Sequence, residues 1–101
     1  MLNNFRTYKL AVEFYKTSKH IPLPSSLRDQ WARASSSVAM NLAEGYGKIT
    51  KPDKARFYRI SLGSLRECQC ILDLIDDANP SIINMADQLG GSLYRLIQAT
   101  R

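Results

Sequence analysis

Apolar residues recur along this chain at steps of three and four, the spacing of helices that bury one side. In the first block, from about Asn4 to Lys19, Phe5, Tyr8, Val12 and Tyr15 form a stripe, which Leu10, Ala11 and Phe14 widen. Ile21-Pro22-Leu23-Pro24 ends it, because prolines cannot continue helical hydrogen bonding. Ser25 or Ser26 caps the second helix, with Asp29 completing a variant capping box behind Ser26. Leu27, Trp31, Ala34, Val38 and Leu42 make its apolar face, and Gly45-Tyr46-Gly47 closes it through the left-handed conformation glycine permits.

Thr50 caps the third helix, with Pro52 in the first turn and Asp53 three residues after the cap. The pattern runs to about Asp76 in two rows, Tyr58, Leu62, Leu65, Leu72 and Phe57, Cys68, Ile71, Ile75. Asp76 and Asp77 oppose the helix dipole there and mark its end. Asn79-Pro80 starts the fourth helix, and Ile82, Met85, Ala86, Leu89, Leu93, Leu96 and Ile97 carry it to the end. Gly90-Gly91 lies inside it, read as a place for another helix to pack closely. Four helices with short links and no strand pattern predict a single all-α domain over 1–101, an antiparallel up-down-up-down four-helix bundle.

A polar line runs beside the apolar face of the second helix: Arg33, Ser37, Asn41 and Glu44. With the second and third helices antiparallel and the turn near residue 50, Arg33 falls opposite Glu67, Ser37 opposite Gly63, Asn41 opposite Arg59 and Glu44 opposite Arg56. The expectation is a structural network in which Arg33–Glu67 and Glu44–Arg56 ion pairs frame Ser37, Asn41, Arg59 and Ser64. A buried pair of this kind costs about 3–5 kcal/mol to break, an exposed one about 0–1 kcal/mol.

Composition narrows the function. The chain has 101 residues, 45% hydrophobic, and a net charge of +5, which permits a polyanionic partner. Cys68 and Cys70 point to nearly opposite sides of a helix, so they do not pair, and a reduced cytoplasmic setting is expected. No apolar run nears the roughly 18 residues of a membrane span, and no signal-peptide core follows Met1.

Catalytic constellations are missing from the pattern. His20 is the one histidine, there is no Glu-x-x-His element or zinc-ligand set, and Gly45-Tyr46-Gly47-Lys48 is not a phosphate loop. The expectation is a non-enzyme with no cofactor, no metal and no small-molecule substrate. Lys48, Lys51, Lys54, Arg56 and Arg59 crowd the second turn around Tyr46 and Tyr58. Cations among aromatics hold phosphates and stack unpaired bases, so Tyr46, Lys48, Lys51, Lys54 and Tyr58 are candidate RNA contacts. The alternative is a protein–protein adaptor whose charge is incidental.

Arg33-Ala34, Ser37-Val38, Asn41-Leu42-Ala43-Glu44-Gly45 and Gly63-Ser64-Leu65 with Glu67 resemble the signature of one bacterial family. These are the small four-helix-bundle proteins encoded in intervening sequences of 23S ribosomal RNA genes. The resemblance extends from Tyr8-Lys9-Leu10-Ala11 through Leu74. It implies a homo-oligomer, typically a pentameric ring, and similarity to the accessory protein of diversity-generating retroelements, which works with RNA and a reverse transcriptase. Where the family usually has a second arginine before the one matched by Arg33, this chain has Ala32.

Overall fold

A computed structural model describes residues 5–101, and among them it holds four helices: α1 (Arg6–Ser18), α2 (Ser25–Tyr46), α3 (Lys51–Leu74) and α4 (Pro80–Ala99). They pack as an all-α four-helix bundle, α1 against α2 and α4, and α3 against α2 and α4. Asn4, the expected start of the first helix, lies outside the described residues.

Two of the anticipated caps form. Thr50 Oγ1 accepts from the Asp53 backbone N–H at 3.3 Å, and Asn79 Oδ1 accepts from that of Ser81 at 2.8 Å. The cap of α2 differs: helical geometry already includes Ser25, Pro24 occupies the cap position, and no side chain bonds there. Its other end also differs from expectation. Gly47 closes α2 in the right-handed region, at φ −78°, so the turn does not depend on left-handed glycine. The left-handed residue is instead Asp77, φ 55°, in the link after α3.

Along α2 the apolar face is as read: Trp31, Ala34, Val38 and Leu42 are buried. On α1 the inward side is Thr7, Ala11, Phe14 and Ser18, while Phe5, Tyr8, Val12 and Tyr15 lie half-buried on its flank. Hydroxyls make this possible, because a buried polar group that finds a partner costs little. Ser18 Oγ donates to Phe14 O at 2.6 Å, and the Thr7 and Ser92 hydroxyls meet at 2.6 Å between α1 and α4. Trp31 Nε1 donates to Ser18 O at 3.2 Å, tying α2 to the end of α1. Helix α4 passes through Gly90-Gly91, and Gly90 is buried against α3 near Leu65.

Contacts between α2 and α3 run in opposite chain directions: Tyr46 with Lys54, Val38 with Ser61, Ser37 with Ser64. The two helices are therefore antiparallel, and their shared outer surface carries the polar line.

Candidate nucleic-acid interface

The polar line comes together only at its centre. Ser37 Oγ and Ser64 Oγ lie 2.8 Å apart, one residue along from the Gly63 expected opposite. Asn41 Nδ2 donates to Ser37 O at 2.9 Å and to Ser37 Oγ at 2.8 Å, on its own helix, rather than accepting from Arg59. The expected ion pairs do not form. Among the described residues the one salt bridge is Lys48 Nζ to Glu44 Oε2, 3.6 Å, within a single turn. Arg33, Glu44, Arg56, Arg59 and Glu67 are all exposed. The physical reason is direction. Spacing sets how far along the bundle a residue sits, but Arg33 and Glu67 project outward from their helices instead of across the seam.

The second turn collects cations as anticipated. Lys51, Arg56 and Arg59 face solvent, and Lys48 and Lys54 are half-buried. Two of these lysines already have partners. Lys54 Nζ donates to Tyr46 O at 2.8 Å and lies 5.5 Å from that ring's centre. Lys48 lies 5.1 Å from the Phe57 ring, which also carries the Arg56 guanidinium at 4.5 Å. Such contacts hold a cation near an aromatic face without neutralising it.

The tyrosines do not form a stacking platform. Tyr58 is 3% exposed, and its ring packs on Phe5 with centres 6.1 Å apart. Burial, and the nearby Tyr46 hydroxyl, push its pKa above the usual tyrosine value. A β-carbon on Gly45 would stand 2.7 Å from Tyr58 Cε1, so the glycine makes the room this ring occupies. Tyr46 is 41% exposed, with one side against Phe5 at 5.1 Å. Phe5 and Phe57, which the sequence reading left out of the site, are thus the residues that organise this corner.

Charge is polarised along the molecule, which measures 41 × 22 × 22 Å. The half that holds the α2–α3 turn carries Arg6, Lys9, Lys48, Lys51, Lys54, Arg56, Arg59, Arg95 and Arg101 against Glu44 and Asp53. In the other half Lys16, Lys19, Arg28, Arg33 and Arg66 meet Glu13, Asp29, Glu67, Asp73, Asp76 and Asp77, and Asp87 sits at the boundary, lining a recess with Arg6 and Arg95. A cleft of about 560 Å³ opens at that acidic end, where Ile21, Leu72, Ile75 and Ile82 lie beside Asp76 and Asp77. No cluster of metal-ligating side chains occurs among the described residues, and none of their helices is long and apolar enough to cross a membrane.

Four amphipathic helices around one core, with a basic tip and no strand among the described residues, define a small all-α bundle protein. The chain belongs to the family of 23S rRNA-intervening sequence proteins, whose model matches residues 5–98. No individual curated protein matches it.

Proposed function

We propose that this chain is a non-enzymatic, self-associating helical bundle of the cytoplasm that contacts RNA, alone or within a ribonucleoprotein, through its basic tip. The observation that carries this is the polarised charge: nine cations against two carboxylates in one half of the molecule. A field of one sign over a compact end attracts phosphates, whatever their base sequence. Recognition is by backbone charge, because Tyr58 is buried and Tyr46 is packed against Phe5. Lys51, Arg56 and Arg59 are the exposed phosphate ligands, and Lys48 and Lys54 reinforce them from their aromatic seats.

Binding to a structured RNA as a function of salt tests this. Affinity should fall steeply as salt rises, and Lys51→Ala and Arg59→Ala should each weaken binding and flatten the slope by about one. No binding at low salt would reject it. An adaptor role has its own support, the exposure of Met40 at 68% and Ile60 at 43% on one side of α2 and α3. An assembly indifferent to RNA would favour that role. The family resemblance implies five copies, and sedimentation of the purified protein counts them.

A further inference from the structure

We propose that the cleft at the acidic end of the bundle is a peptide-docking site. Its occupant is a segment of a partner protein in which large aliphatic residues stand next to lysine or arginine. The cleft lies at the end away from the basic tip and does not depend on the RNA contact proposed there.

Two links frame it, residues 19–24 between α1 and α2 and residues 75–79 between α3 and α4. Both are stiff. Pro22 and Pro24 fix the backbone of the first, and Trp31 Nε1, donating to Ser18 O, ties its start to α2. In the second, Asn79 Oδ1 accepts from the Ser81 N–H at 2.8 Å, and Pro80 opens α4 directly behind it. Walls that are already fixed lose little freedom when a ligand arrives, which favours binding.

The floor is aliphatic. Leu72 and Ile82 are buried, and Ile21 and Ile75 are half-buried beside them. At about 560 Å³ the space falls within the range of roughly 300–1,000 Å³ in which compact ligands are held. Water against these four side chains is displaced favourably by apolar groups.

The rim sets the charge. Asp76 and Asp77 line it and are exposed, and Asp73 stands in the last turn of α3. They sit where the dipole of α3 is already negative, and that last turn holds no basic residue. Ile75 is extended, at φ −100° and ψ 149°, and no backbone N–H of the link returns to the last carbonyls of α3. Gly47 and Thr100 do return theirs at the ends of α2 and α4. Lys19 and His20 precede Ile21 on the facing link, yet neither pairs with these carboxylates, since Lys48–Glu44 is the one ion pair among the described residues. Carboxylates, helix end and open carbonyls thus add up without a counter-charge from the chain.

Two carboxylates beside an aliphatic floor select a ligand with an apolar body and more than one cation. A peptide supplies both by alternation: its aliphatic side chains fill the floor while neighbouring lysines or arginines meet the rim. Nucleic acid is repelled there, so the two ends of the bundle choose partners of opposite charge.

Titration of the isotope-labelled protein with the blocked peptide acetyl-Lys-Leu-Leu-Lys-amide, followed by amide NMR, tests the site. Shifts should concentrate at residues 20–22 and 71–82, and acetyl-Lys-Ser-Ser-Lys-amide and acetyl-Glu-Leu-Leu-Glu-amide should leave those amides unmoved. The variant D76N/D77N retains a residue type that tolerates the left-handed conformation of Asp77, φ 55°. It should bind the first peptide about tenfold more weakly. Its melting temperature should stay the same or rise, because both charges oppose the α3 dipole; carboxylates that served only the fold would lower it when neutralised. An equal response to all three peptides, shifts confined to other residues, or wild-type affinity in D76N/D77N overturns the docking site. Hexylammonium chloride binding as tightly as the peptide rejects a peptide occupant. Peptide binding that appears only on dilution to the monomer assigns the cleft to another copy of the chain and overturns the proposal as well. No RNA enters the titration, so its failure leaves the basic tip standing.

Discussion

Gly45 and Tyr58 occupy one small space between α2 and α3. A β-carbon on the glycine would sit 2.7 Å from Cε1 and 2.9 Å from Cδ1 of the ring, and 3.0 Å from Cβ of Phe57. The ring cannot swing away cheaply, because Tyr58 is 3% exposed and Phe57 Cβ is fixed to its backbone. Gly45→Ala should therefore destabilise the fold by about 1–3 kcal/mol, the range for overpacking a core. Urea unfolding followed by circular dichroism checks it.

Gly90 should behave in the opposite way. Its added β-carbon would lie 3.6 Å from Leu65 Cδ2 and 3.8 Å from an Arg66 guanidinium nitrogen, both ordinary contacts. Gly90→Ala then gains helix propensity without strain, up to about 1 kcal/mol. Thermal melts of this variant and Gly45→Ala, compared with wild type, should move in opposite directions.

The buried hydroxyl pair between α1 and α4 gives a coupling experiment. Removing one partner strands the other, so Thr7→Val alone should cost about 1–3 kcal/mol. Thr7→Val with Ser92→Ala removes both groups and should cost less than the sum of the single changes. Strict additivity would mean that the 2.6 Å contact is not formed in solution.

Arg33 and Glu67 should show no coupling within one chain. Both are exposed and unpaired, so Arg33→Ala and Glu67→Ala, measured at dilution, should each change stability by less than about 0.5 kcal/mol. A coupling of several kcal/mol in their double-mutant cycle would contradict the outward placement of both side chains.

The two cysteines should differ in reactivity and in their effect at high pH. Cys68 is fully buried, and burial first, then the nearby Glu67 charge, pushes its thiol up to about 12. Cys70 is exposed, so a thiol reagent should modify one cysteine in the native protein and two in denaturant. The unfolded thiol ionises near its ordinary value of 9.0 while the folded one holds its proton. Stability is thus complete below about pH 9 and lost progressively as pH rises towards 12. Cys68→Ala should flatten that alkaline loss, although Tyr58, also raised by burial, contributes to it.

Period and punctuation carried most of the fold. The Pro22 and Pro24 break, the Thr50 and Asn79 caps and the α2 row ending at Leu42 are local signals, and local signals survive packing. The site was less legible because it depends on which way side chains turn. Arg33 and Glu67 have the right heights and the wrong azimuth. Tyr58 sits among cations in the sequence and in the core of the structure, because Gly45 opposite leaves a hole that only folding reveals. On α1, Thr7 and Ser18 read as polar and are buried, since their hydroxyls bond to groups far along the chain or one turn back.

The lopsided charge of the bundle has a mechanical consequence. A rod 41 Å long with its cations gathered at one tip feels a torque in the field of a polyanion, not merely a pull. It turns while still separated by solvent and arrives tip first, so fewer collisions are wasted on the wrong approach.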